Sequence, residues 1–134
     1  MSRENVEIVR RGWDHFLATG EPLEEVLAPG FVWDMSTFRD IPGLQPHYEG
    51  AEGVRRFLRE WTEPFDEWQI EVQALYDAGE KVVAVCEQRG RAKTTGLPVD
   101  MSLAMVFTVR GGLQTRMEMY ADPDEAFKAV GLAE

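Results

Sequence analysis

Four tryptophans stand in this 134-residue chain: Trp13, Trp33, Trp61 and Trp68. With Phe16, Phe57 and Phe65 they supply enough aromatic surface to wall a cavity for a planar or polycyclic apolar ligand, or to fill a core. At least one of Trp13 and Trp61 is expected in such a pocket. Near the far end of the chain, Arg116, Glu118 and Tyr120 alternate along one run, so in a strand they share a face. Tyr120 could donate a hydrogen bond to a carbonyl, and Arg116 could pair with Glu118 or with a substrate anion. The opposite register would turn Met117 and Met119 inward instead, because a slip of one residue exchanges the two faces of a strand. His47 and Tyr48 close a Pro- and Gly-rich segment. A histidine there could shuttle protons near neutrality, but its place beside Pro46 reads as an exposed turn. The single cysteine, Cys86, has no His neighbour in sequence and reads as a buried, inert thiol.

Other chemistries find no carrier. Two histidines without H-x-x-x-H spacing and one cysteine make no metal site. There is no Walker A loop, no G-x-G-x-x-G, no G-x-S-x-G and no H-E-x-x-H. Neither an organic cofactor nor a metal is implied. Lys and Arg number 14 against 24 Asp and Glu, a net charge of −10. Such a surface repels phosphate backbones, so nucleic acid is not an expected partner. Apolar residues make up 44% and charged residues 28%, the balance of a folded soluble domain. The reading is one domain over residues 1–134, with no secretory leader and no membrane span, in the cytoplasm.

The elements that would position these residues follow from periodicity. Val6, Val9, Trp13, Phe16 and Leu17 recur at helical spacing up to Gly20. Residues 21–27 read as a short second helix, which Pro29-Gly30 breaks. Phe31 to Met35 reads as a short strand. Residues 36–50 read as a loop of unusual length, the kind that forms lids or binding loops. Val54, Phe57, Leu58 and Trp61 mark a third helix, stopped by Pro64. From Trp68 the period drops to two. Strands are expected over 68–74, 81–93, 99–109 and 113–120, the last pair joined by the hairpin turn Arg110-Gly111-Gly112. Asp122-Pro123-Asp124-Glu125 opens a short final helix with an N-cap and a Pro in its first turn. The fold class is α+β: about three N-terminal helices on a curved mixed or antiparallel sheet, with a short C-terminal helix.

Several segments carry a family likeness: Phe31-Val32-Trp33-Asp34; Tyr48-Glu49-Gly50 leading into Gly53-Val54-Arg55-Arg56-Phe57; Gly79-Glu80-Lys81-Val82-Val83; and Glu118-Met119-Tyr120-Ala121-Asp122 before Val130-Gly131-Leu132. Over nearly its whole length the chain resembles the nuclear transport factor 2-like superfamily, in its SnoaL-like, ketosteroid isomerase-related branch. That resemblance implies a cone of helices on a strongly curved sheet. It implies Asp34 as a general base, a carboxylate made more basic by an apolar pocket and able to take a proton beside a carbonyl. The plainer reading of Asp34 is a strand-end residue opening the turn at Ser36. The positions matching the isomerase's hydrogen-bond donors hold Trp13 and either Ala104 or Met105, so no O–H donor stands there.

The resemblance therefore implies an isomerase, cyclase or lyase acting on an apolar carbonyl compound, with Asp34 and Tyr120 catalytic. Its pocket would be lined by Trp13, Phe16, Tyr48, Phe57, Trp61, Arg116 and Glu118. The alternative is a non-catalytic binder of small molecules on the same fold. It also implies a homodimer formed through the outer face of the sheet, where Met101, Leu103, Met105 and Phe107, or Met117 and Met119, would offer apolar positions.

Overall fold

The computed structural model describes residues 2–38 and 41–132. Helix α1 spans Ser2–Thr19, and a single 3-10 turn, Glu24–Val26, leads directly into strand β1, Leu27–Asp34. Strand β2 (His47–Glu49) precedes helix α2 (Gly50–Thr62). Four long strands follow: β3 (Phe65–Ala78), β4 (Lys81–Ala92), β5 (Pro98–Arg110) and β6 (Leu113–Tyr120). Helix α3 is Pro123–Ala129. The strands form one sheet in the order β2-β1-β6-β5-β4-β3. Only β1 and β6 pair in parallel; the other neighbours are antiparallel. This is the α+β architecture expected, with a mixed sheet.

Three local expectations change. Residues 21–27 form one 3-10 turn rather than a helix, because β1 starts four residues earlier than the aromatic run suggests. Pro29-Gly30 lies inside β1, where the pairing with β6 slips between Leu27 and Val32. Strand β2 covers only Val32 to Asp34, so the Pro29 stretch has no neighbour on that side and needs no N–H there. The segment 36–50 is not all loop, since His47–Glu49 pairs with β1. The strand expected over 68–74 is also longer, as β3. Bulges between Asp66 and Gln69 and between Val72 and Ala74 break its alternation, and Glu67 in the first bulge takes φ 55°.

Two apolar layers hold the sheet. On one face Val9 and Trp13 of α1, and Val54, Phe57 and Trp61 of α2, pack against Leu103, Met105 and Phe107 of β5 and Met117 and Met119 of β6. Leu17, expected on the apolar stripe of α1, is 53% exposed just before the helix ends. On the other face a smaller cluster joins Val83, Ala104 and Val106 to Ala126 of α3, with Tyr120 and Phe127 against it. The α3 helix is held at its start by the Asp122 carboxylate, which accepts a hydrogen bond from the Asp124 N–H at 2.9 Å. The Phe127 ring meets Tyr76 edge-on at 5.0 Å.

The apolar rows of β5 and β6 thus both face the helices. The outer face does not carry them, and the pairing surface expected from those residues is not there. Among the described residues no helix is long and apolar enough to cross a membrane.

Candidate functional site: an aromatic cavity and a polar cluster on the opposite face

A cavity of about 80 Å³ lies between α1, α2 and the inner face of the sheet. Its buried wall includes Trp13, Phe31, Trp33, Phe57 and Trp61. Its floor is Leu103, Met105, Phe107 and Met119. The half-exposed lining residues Phe16, Leu23, Leu58 and Trp68 mark its mouth. The rings are ordered against one another. Phe57 stacks on Trp61 at 5.4 Å and tilts against Trp33 at 4.8 Å, while Phe38 from the segment after β1 meets Trp61 edge-on at 5.6 Å. The cavity opens at that mouth, and the aromatic rings occupy much of the space they surround.

The polar groups of this wall are few. Among the described residues no Asp, Glu, His, Lys, Arg or Tyr lines the cavity. Gln88, beside it in β4, is 2% exposed. Its Oε1 accepts from the indole N–H groups of both Trp61 and Trp68, each at 2.8 Å. One amide oxygen thereby ties α2 to β3 through β4. Gln114 of β6 lines the cavity and is 4% exposed.

Of the expected pocket residues, Trp13, Phe16, Phe57 and Trp61 line the cavity. Tyr48, Arg116 and Glu118 do not. Tyr48 is buried one layer behind, with its ring edge-on to Phe57 at 5.6 Å. Its hydroxyl accepts from the Gln45 N–H at 2.9 Å and donates to Glu60 of α2. Burial and the Glu60 carboxylate push the Tyr48 phenol up to about 12.

The inward register expected for Arg116, Glu118 and Tyr120 is not the one adopted: Met117 and Met119 face the helices. The methionines win because the inner layer is almost wholly apolar and a charged side chain there would lack partners. Asp34 follows the same rule. Trp33 and Met35 join the inner core, so Asp34 between them turns to the outer face, opposite Glu118 on β6 and His47 on β2.

The result is a polar cluster away from the cavity. The Asp34 carboxylate is 5% exposed and accepts from the Ser36 N–H at 2.7 Å, closing the turn that its strand-end position suggested. Its other oxygen accepts from the Arg116 guanidinium. His47 Nε2 stands 3.8 Å from Asp34 Oδ1 and is half in solvent. Burial pulls the Asp34 carboxyl upward, but the bonds from Ser36 and the Arg116 guanidinium outweigh it and hold the group below its ordinary range. Burial, with Glu118 and Asp34 nearby, raises the Tyr120 phenol. Cys86 is fully buried in β4, and burial pushes its thiol up to about 12.

The residues alone gave no role to Gln88 or Gln114, and they placed Leu103, Met105 and Phe107 of β5 on the outer face instead of the cavity floor. The Gln114 position was hidden by a bulge: the pairing of β6 with β5 shifts between Thr108 and Val109. Gln114 and Met117 therefore face the same side although three residues apart. A buried Gln on an apolar face is the signal that the register, once known, makes visible.

Known structures repeat this fold. TerC co-crystallised with polyporic acid superposes with a TM-score of 0.74 at 19% identity, covering 96% of this chain and 98% of that one. A Catenulispora acidiphila protein of ketosteroid isomerase-like fold, in complex with trimethylamine, gives 0.66 at 18% identity over 94% and 93%. A Jannaschia protein assigned to the SnoaL-like polyketide cyclases gives 0.65 at 21% identity over 99% and 95%. At these identities the likeness is one of fold. No curated protein matches the chain in sequence. A model of the SnoaL-like domain matches residues 9–117. That match runs from Val9 within α1 through α2 and strands β1 to β5 to Met117 within β6, and the chain belongs to the SnoaL-like domain family.

Proposed function

We propose that the protein binds a small, neutral, apolar molecule in the cavity between α1, α2 and the sheet. The observation that carries this reading is the cavity itself. It is a pocket of about 80 Å³ that runs from its mouth into the core, walled by aromatic rings and free of titratable side chains among the described residues. Apolar wall of this kind gains when an apolar ligand covers it and displaces water. Two fold relatives whose structures were obtained with small molecules, polyporic acid and trimethylamine, support a ligand-binding use.

The test is ligand-induced stabilisation. Toluene, added to the folded protein, raises the midpoint of thermal unfolding. At a hundredfold excess over Kd the gain is about 2.7 kcal/mol. Val9 lies fully buried on the cavity wall, and Val9→Phe fills the pocket and removes the effect. Absence of any shift in both proteins up to the solubility of toluene would sink the proposal and leave a filled-core, partner-binding protein.

A second reading is supported by the likeness to a protein assigned to the polyketide cyclases. It is an isomerase, cyclase or lyase reaction on an apolar carbonyl compound, with Asp34 as base and Tyr120 as donor. In this reading Asp34 has to leave Arg116 to accept a proton. Asp34→Asn then abolishes turnover, whereas toluene binding is untouched. Turnover that survives Asp34→Asn rules the base out.

A further inference from the structure

We propose that Gln114 is the specificity-determining polar group of the cavity, and that the molecule bound there carries a neutral oxygen acceptor which the Gln114 amide receives. This rests on the cavity-binding reading above.

Gln114 is 4% exposed and lines the cavity. Its side chain makes no hydrogen bond with any described residue. Unlike the unpartnered nitrogens of Trp13, Trp33 and Gln88, its amide is not sealed off; it fronts the cavity as a polar group in an otherwise apolar wall, open to a partner that arrives from outside. The amide is also given room. The facing residue on α1 is Gly12, and a Cβ placed there would lie 3.3 Å from Gln114 Nε2.

The unmet groups around the cavity are mostly donors. The indole N–H groups of Trp13 and Trp33 also have no partner among the described residues, but each nitrogen is sealed behind its own ring and closed off from the cavity space. An indole only donates, and an amide NH₂ donates twice. A ligand that meets the Gln114 NH₂ therefore brings an acceptor such as a carbonyl or ether oxygen. Among the described residues the lining holds no cation to neutralise a carboxylate or phosphate and no anion to hold an amine, which favours a neutral ligand.

The experiment uses two single-ring probes of one shape, acetophenone and α-methylstyrene, in which C=O is replaced by C=CH₂. Binding to the folded protein is measured by titration calorimetry. Gln114→Met keeps the volume and removes the amide. The expected result is a roughly tenfold or larger loss of acetophenone affinity with α-methylstyrene unchanged or tighter. Gly12→Ala is the second variant: alanine favours the helix, and its methyl pushes the amide aside, so it weakens the ketone selectively too. In ¹⁵N spectra of the unsubstituted protein, acetophenone shifts the Gln114 side-chain amide resonances, which α-methylstyrene leaves in place. Equal changes for both probes in both variants overturn the role of Gln114 while leaving the cavity reading intact. Failure of either probe to bind the unsubstituted protein overturns the cavity reading, and this inference with it.

Discussion

Arg116 of β6 donates a hydrogen bond to Asp34 of β1 on the sheet face opposite the cavity. The two residues lie 82 positions apart in sequence, and it is the parallel pairing of first and last strands that joins them. The carboxylate that resembled a catalytic base is thus half of an ion pair whose other half is 40% exposed.

The pair makes stability depend on pH. The folded-state pKa of Asp34 lies below its ordinary value of 3.8, so its contribution is present above that value and is lost as pH falls through the folded pKa. Asp34→Asn is expected to cost about 1–3 kcal/mol at neutral pH. Urea denaturation of both proteins should show that gap closing as the pH is taken well below 4. A gap that is constant across the range would mean that the ion pair contributes nothing.

Gln88 carries a heavier structural task. Its single oxygen serves two indole donors at 2.8 Å. Gln88→Leu leaves both without a partner, at about 1–3 kcal/mol for each buried donor. The expected total is about 2–6 kcal/mol, read as a lower denaturation midpoint with an unchanged slope. A loss under about 0.5 kcal/mol would show that the indoles find water or new partners.

Tyr48 couples the segment before β2 to α2 through Gln45 and Glu60. Its phenol is raised to about 12 by burial and by Glu60, above the ordinary value near 10. The neutral phenol is thus favoured in the folded state. Its contribution is whole below pH 10 and is lost as the pH rises toward 12. Tyr48→Phe should flatten the alkaline fall in stability and lower the neutral-pH value by about 1–2 kcal/mol. Unaltered alkaline denaturation in this variant would point to another group.

Much of the architecture was legible in the residues. The helical spacing of Val9, Trp13 and Phe16, the two-residue alternation of β4 to β6, and the capped start of α3 are local signals, and they match the elements found. Of the residues expected in a pocket, Trp13, Phe16, Phe57 and Trp61 line the cavity, on the faces of α1 and α2 that pack against the sheet. What the chain alone left open was parity and size. Whether Met117 and Met119 or Arg116, Glu118 and Tyr120 face the helices depends on the pairing of β6 between β1 and β5. A bulge beside Thr108 then resets that parity for Gln114. Strand alternation specifies that two faces exist. Which face becomes the interior is decided by the energy of burying one set rather than the other against α1 and α2, a tertiary quantity. The same packing set how much of the aromatic surface became wall and how much became filling, leaving about 80 Å³ between them.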